Sequence, residues 1–171
     1  MSQEDEEHKR LGHKFIIAMW IGLMIMVYFL FDDLIKKDYN PNQQVLIHQD
    51  GRQNIVTLKR NRYGHYVTRG KINNQTVTFL LDTGASDISI PDKIARKFKL
   101  KYGAERRYQT ANGIITGYLT LLNKVSIGSI NLNNVRASIN PKMKNDEILL
   151  GMSFLKNIEF TQRGDTLILR Q

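Results

Sequence analysis

Two hydrophobic patterns divide the chain. Residues 15–31, FIIAMWIGLMIMVYFLF, carry no charge, with Lys14 and Asp32 marking the two ends. From about Val45 the texture changes to short β-rich runs, among them NIVTLKR, HYVTRGKI, TVTFLLD, GYLTLL, KVSIGSINL, EILLG and TLILR. The first stretch is apolar on every face, unlike the single stripe of a surface helix. Its seventeen residues span about 25 Å as a helix, near the lower limit for crossing a bilayer. No small-residue cleavage site follows, FDDLIKKDYN coming instead, so an uncleaved anchor is expected rather than a signal peptide. The later runs are punctuated by Asn73-Asn74, Asn112-Gly113, Asn133-Asn134 and Gly164-Asp165, which are read as turns. Short strands at that spacing predict an all-β barrel or sandwich. Two short helices are expected, one from Pro91 in PDKIARKF and one after Gly151 in MSFLKN.

The expected organisation is a mixed-charge tail at 1–14, a transmembrane anchor at 15–31, a stalk at 32–52 and a β domain at 53–171. Asn40-Pro41-Asn42 serves as the breaker of the stalk. Lys9, Arg10 and Lys14 precede the anchor and Lys36 and Lys37 follow it, an excess that favours the N-terminus inside. The bulk of the chain then lies on the outer or periplasmic side, with Trp20 and Tyr28 as interfacial residues. The absence of cysteine excludes disulfides, zinc–thiolate sites and a cysteine nucleophile. A net charge of +9 raises nucleic acid or anionic lipid as partners. The charges are scattered, however, and no aromatic-plus-basic stripe is present to stack bases, so nucleic acid is not expected. His8, His13, His48 and His65 lack metal-site spacing, and there is no HExxH, Walker A loop or GxGxxG. Neither a metal nor a cofactor is expected. Arg163-Gly164-Asp165 is read as a hairpin turn rather than an adhesion signal.

The candidate chemistry lies in TVTFLLDTGASDISIP, Thr76 to Pro91. An ionised carboxylate at the end of so apolar a run is costly unless something pairs with it or uses it. Gly84 permits a tight turn and close backbone approach, and Thr83 offers a hydroxyl beside Asp82. A helix N-cap or an Asx-type turn accounts for the same residues. The strand-like SDISIP that follows weakens the cap and leaves the turn open.

FLLDTGASDISIP resembles the active-site segment of the retroviral-type aspartic proteases, the retropepsins. Further along, YQTANGIITGYL resembles their flap hairpin, and EILLGMSFL resembles their second signature, two apolar residues and a glycine before a short helix. The ordered set covers about Gln53 to Gln171, and with the N-terminal anchor it looks most like the membrane-anchored bacterial branch. The resemblance implies a retropepsin-like closed β-barrel with one or two short helices, preceded by a single transmembrane helix. It implies Asp82 as the catalytic residue, supported by Thr83, Gly84 and Ala85. The Thr83 hydroxyls would interlock at a dimer axis, and Gly84 backbone would contact substrate. Ala111, Asn112, Gly113 and Ile114 fall in the flap, with Gly113 and Gly117 permitting bending. Leu149, Leu150 and Gly151 would pack beneath the catalytic loop. Ala85 occupies a place where pepsin-like enzymes often carry a hydroxyl that bonds the carboxylate; its loss should raise the pair's pKa towards weak acid. Many retroviral enzymes pair an arginine after the later glycine with an aspartate past the catalytic loop. Met152 and Ser86 hold those places here, so that support is missing. Asp87 remains open between a substrate contact and a turn residue.

Counting adds a constraint. Aspartic proteases use two carboxylates that share one proton, because like charges so close cannot both ionise. There is one Asp-Thr-Gly, and a domain of about 120 residues cannot hold two pepsin-like lobes. The pair is therefore expected between Asp82 of two chains across a two-fold axis. The expected protein is a homodimeric aspartic endopeptidase acting on polypeptides from the periplasmic face of a bacterial inner membrane. Leu80, Ile90, Ile114, Ile115 and Leu149 are candidates for lining apolar subsites. The stalk between about Asp32 and Arg52, read as flexible and adjacent, offers a place for autoprocessing, which the sequence does not decide. The alternative is a non-catalytic peptide-binding module on the same fold.

Overall fold

The computed structural model describes residues 3–50, 53–110 and 113–171. Helix α1 (Gln3–Tyr39) comes first, followed by strands β1 (Leu46–Asp50), β2 (Gln53–Lys59), β3 (Val67–Ile72), β4 (Gln75–Leu81) and β5 (Ile88–Pro91). After helix α2 (Asp92–Lys97) come β6 (Glu105–Thr110), β7 (Gly113–Ile127), β8 (Ile130–Asn140) and β9 (Ile148–Leu150). Helix α3 (Met152–Leu155) and strands β10 (Glu159–Arg163) and β11 (Thr166–Arg170) complete the chain. The two short helices fall where PDKIARKF and MSFLKN were expected to form them.

Asn73 and Asn74, with φ of 47° and 68°, reverse β3 into β4, both in the left-handed region that a type I′ turn requires. Gly164 and Asp165 reverse β10 into β11, with only Gly164 of the two at positive φ (56°). Asn133-Asn134 is not a turn. Both residues lie inside β8, whose register against β7 continues from Leu122↔Val135 to Lys124↔Asn133. The reversal falls instead at Gly128-Ser129, between Ile127 and Ile130, where Gly128 has φ 57°. Asparagine tolerates positive φ within a ladder, as Asn134 does at 55°, so an Asn pair alone does not fix a turn. The pair Thr110↔Gly113 brackets the β6–β7 turn, and Ala111 and Asn112 lie outside the described residues.

Strands β3, β4, β9, β5, β8 and β7 are hydrogen-bonded in that order, and β7 returns to β3 through Lys71↔Ser126 and Ile72↔Val125. The sheet thereby closes into a barrel. Gly70 makes the closure possible, since a Cβ there would fall 2.5 Å from the Ser126 carbonyl oxygen and 2.6 Å from the Phe79 ring. The interior holds Phe79, Ile88, Ile90, Leu122, Ile139, Ile148, Leu150 and Phe154, all fully buried. Burial of each such side chain stabilises the fold by about 1.5–3 kcal/mol. A second sheet, ordered β1-β2-β11-β10, turns the alternate residues Val56, Leu58, Leu167 and Leu169 into the same core.

The chain divides between Asp38 and Tyr39 into two compact units. Helix α1 makes up most of the first, and its stretch Gly12–Tyr39 is long and apolar enough to cross a membrane by length and composition alone. In the second, residues expected as stalk are tied to the barrel. Asn42 is 4 % exposed; its amide donates to the carbonyls of Lys59 (2.8 Å) and Val67 (2.7 Å) and accepts the Lys59 N–H (2.6 Å). Beyond it, β1 pairs along its length with β2.

Candidate active site

Asp82 follows β4 directly, where that strand runs parallel to β9 through Leu80↔Leu149 and Leu81↔Leu150. The Asp82 N–H continues the pairing by donating to the Leu150 carbonyl at 3.2 Å. The chain then turns sharply. Gly84 N–H donates to Asp82 Oδ1 at 2.9 Å, and Ala85 N–H to the Asp82 carbonyl at 3.2 Å. This is the Asx-type turn that the sequence left open, and it leaves Oδ2 with no hydrogen-bond partner among the described residues. Thr83 is exposed and its hydroxyl has no partner among them either. The turn reading and the candidate chemistry are compatible: one carboxylate oxygen shapes the loop and the other is not used by it.

The loop rests on the second motif. Met152 N–H donates to the Ala85 carbonyl at 2.8 Å, and Ser153 N–H to the Ser86 carbonyl at 3.0 Å. Ser153 Oγ accepts the Ile88 N–H at 3.0 Å. Gly151 permits this contact, because a Cβ there would strike the carbonyl oxygens of Asp87 and Ala85, falling 2.5 Å from the latter. The start of α3 thus receives the loop through backbone groups, in the place where an arginine side chain was noted as missing.

Asp87 lies at the cleft, and its side chain is bound within the fold. Its carboxylate has no exposed surface; Oδ1 accepts from Arg136 Nε at 2.7 Å and Oδ2 from the Tyr108 hydroxyl at 3.1 Å. Burial, and then the Asp87 carboxylate, push the Tyr108 hydroxyl above the usual phenol range. Neither Tyr108 nor Arg136 carries a signal in the sequence. The pairing follows from the parallel register Ile88↔Ala137, which sets Arg136 of β8 beside Asp87 at the start of β5.

A cleft of about 470 Å³ separates this loop from the β6–β7 hairpin. Asp82, Gly84 and Ala85 form one wall, and Tyr108, Gln109, Thr110, Ile115 and Gly117 the other, with Leu149 also reaching the surface. Of the apolar residues expected to line subsites, Ile115 and Leu149 do so. Ile90 is fully buried in the barrel, while Ile114 is 62 % exposed and points away from the cleft that Ile115 lines, as strand alternation dictates. Leu80 is half-buried outside the cleft lining. Gly113, at φ 99°, opens β7, and Ala111 and Asn112 of the expected flap lie outside the described residues. No group of three or more His, Cys, Asp or Glu side chains suited to a metal occurs among the described residues.

Residues 68–157 match the family described as "gag-polyprotein putative aspartyl protease". The chain belongs to this family. The aspartyl protease match runs from β3 to just beyond α3 and so includes the Asp82 loop, the β6–β7 hairpin and the Gly151 turn. The chain is 33% identical over 167 residues to an uncharacterized protein of Rickettsia prowazekii, covering 91% of this chain and 70% of that one. It is 35% identical over 135 residues to an uncharacterized protein in the cobV 5′ region of a Sinorhizobium species, covering 76% of this chain and 58% of the relative. The chain therefore spans little more than half the length of the latter. Among solved structures it is similar to a retropepsin-like aspartic protease from Rickettsia conorii, with 34% identity and a TM-score of 0.59. That similarity covers 74% of this chain and 95% of the other. The barrel is a retropepsin-like aspartic protease fold.

Proposed function

We propose that the protein is an aspartic endopeptidase whose active site is completed by a second copy of the chain, with Asp82 of each supplying one carboxylate. The observation that carries this reading is the placement of Asp82 in the cleft, with Oδ1 held by Gly84 and Oδ2 left for another partner. Within one chain the nearby Asp87 is no candidate for the second acid, because Arg136 and Tyr108 already occupy both its oxygens. Thr83, exposed beside Asp82, is available to meet its counterpart across a two-fold axis.

Two carboxylates brought together share one proton. The ionised one removes a proton from water, and the resulting hydroxide attacks the peptide carbonyl carbon. The protonated one gives its proton to the carbonyl oxygen, forming a neutral tetrahedral diol. Collapse breaks the C–N bond, with a proton passing to the leaving nitrogen and the pair returning to its starting state. No metal or cofactor enters the step. An extended peptide fits the cleft between the β6–β7 hairpin and the loop, where strand-like backbone bonding holds it. Ile115 and Leu149 favour apolar side chains nearby.

We further infer that α1 anchors the enzyme in a membrane, in a bacterial inner membrane with the barrel on the periplasmic side. Lys9, Arg10 and Lys14 before the apolar run favour that orientation. Tethering two copies in one bilayer raises their effective concentration and favours a weak dimer. The test is cleavage of a diverse peptide mixture by the full chain and by Asp82→Asn, from weakly acidic to neutral pH, with new termini read by mass spectrometry. Cleavage by the first alone supports the reading; peptide binding without cleavage by either makes the protein a binding module.

A further inference from the structure

The cluster Tyr108–Asp87–Arg136 joins three parts of the fold that are remote in sequence. Asp87 ends the loop that begins at Asp82, Arg136 lies on β8, and Tyr108 lies on β6, one wall of the cleft. The carboxylate between them is fully covered, with one oxygen on each partner. A buried carboxylate without such partners is strongly disfavoured, so the arrangement holds all three elements together. The Tyr108 ring is brought to Asp87 by a missing side chain. A Cβ on Gly117, in the neighbouring strand, would lie 2.9 Å from the Ile139 carbonyl oxygen and 3.4 Å from Tyr108 Cε2. Gly117 therefore serves close approach.

We propose that Tyr108 and Arg136 are positioning residues: Arg136 fixes the far end of the Asp82 loop, and Tyr108 carries that fixation to the β6 arm, so that loop and arm hold one spacing across the cleft. The proposal rests on Asp82 as the reacting group, which neither Tyr108 nor Arg136 touches. Backbone contacts from α3 support the near side of the loop at Ala85 and Ser86. The Asp87 cluster supports its far side and, among the described residues, is the sole side-chain hydrogen-bonded link between the loop and β6. A substrate strand lying between the two walls binds to a gap whose width this link sets, so its loss falls on substrate binding more than on the bond-breaking step.

The experiment compares the full chain with Tyr108→Phe, Arg136→Gln and Arg136→Lys by amide hydrogen exchange and by steady-state cleavage. Tyr108→Phe deletes one hydroxyl and keeps the ring against Gly117. It is expected to speed exchange in both 105–110 and 83–88, to leave β10 and β11 unchanged, and to raise KM about tenfold with a smaller change in kcat. Arg136→Gln should lower kcat/KM further, Arg136→Lys should recover part of the loss, and the Tyr108→Phe/Arg136→Gln double variant should fall short of the summed effects, because both act through Asp87. Faster exchange in β6 with an unaltered loop, or additive effects in the double variant, would overturn the proposal. Should Arg136→Gln fail to fold, Tyr108→Phe and Arg136→Lys carry the test. If the wild-type chain cleaves nothing, yet Tyr108→Phe loosens both segments together, the link stands and the proteolytic reading falls.

Discussion

The amide of Met152 donates to the carbonyl of Ala85 at 2.8 Å, binding the turn before α3 to the loop after Asp82. Two short motifs that are separated along the chain are thus one piece of structure. Gly151 sits at the point of contact and has no room for a side chain. Gly151→Ala is predicted to cost about 1–3 kcal/mol as an overpacked substitution. It should lower Tm by several degrees and abolish cleavage, because the displaced backbone is that of the Asp82 loop. Thermal unfolding and the peptide assay, run on the same preparation, check both effects.

Ser153 provides a milder probe of the same junction. Its hydroxyl, 9 % exposed, is the acceptor for the Ile88 N–H. Ser153→Ala leaves that buried amide without a partner, at a cost of about 1–3 kcal/mol. A lower denaturation midpoint with an unchanged slope is expected. An unchanged midpoint would mean that the hydroxyl is dispensable.

Asn42 makes the clearest claim about the segment entering the barrel. Asn42→Ala removes the acceptor of the Lys59 N–H and both donors to the Lys59 and Val67 carbonyls. Loss of so buried a set should cost about 1–3 kcal/mol per group left unsatisfied. The Lys59 amide should exchange markedly faster, and 39–44 should become a site of limited proteolysis. In the wild-type chain, 39–44 should resist added protease, because Asn42 holds it to the barrel.

Tyr108 gives the alkaline behaviour a sign. Its folded pKa is raised above the unfolded value, first by burial and then by Asp87, so the neutral phenol is the form the fold favours. Arg106, Arg136 and Ser138 also face this cluster, and the two that act on Tyr108 directly, Ser138 and Arg106, oppose the shift without reversing it. The stability it contributes is fully present below the unfolded phenol pKa of about 10 and is lost as pH rises through the folded value. Denaturation of wild type and Tyr108→Phe across that range should show a steeper alkaline decline in the wild type. Parallel declines would place the Tyr108 phenol in an unperturbed setting.

Legibility in the sequence followed the range of the interaction. The strands around Phe79 and the turn at Asn73-Asn74 could be read locally, because alternation and left-handed φ are properties of neighbouring residues. The same local signal failed at Asn133-Asn134, where the ladder with β7 overrides it and Gly128 takes the turn. Asp82, Gly84 and Gly151 were legible as an ordered set of motifs. Arg136 was not, since its place beside Asp87 depends on a parallel register between β5 and β8, 49 residues away along the chain. Alternation also does not say which face of a closing barrel points inward, so Ile90 was expected at the cleft and lies in the core. Asn42 was read as a breaker because only the folded barrel supplies the carbonyls it bridges.

The central claim is that one active site takes Asp82 from two chains, and mixing tests it most directly. Wild-type chain and Asp82→Asn chain are combined at constant total concentration, allowed to exchange partners, and assayed for peptide cleavage. With a shared site, activity follows the square of the wild-type fraction, so an equal mixture retains about a quarter of the full activity. Activity that falls in proportion to the wild-type fraction, to about half at that point, would mean that each chain carries a complete site and would contradict the account.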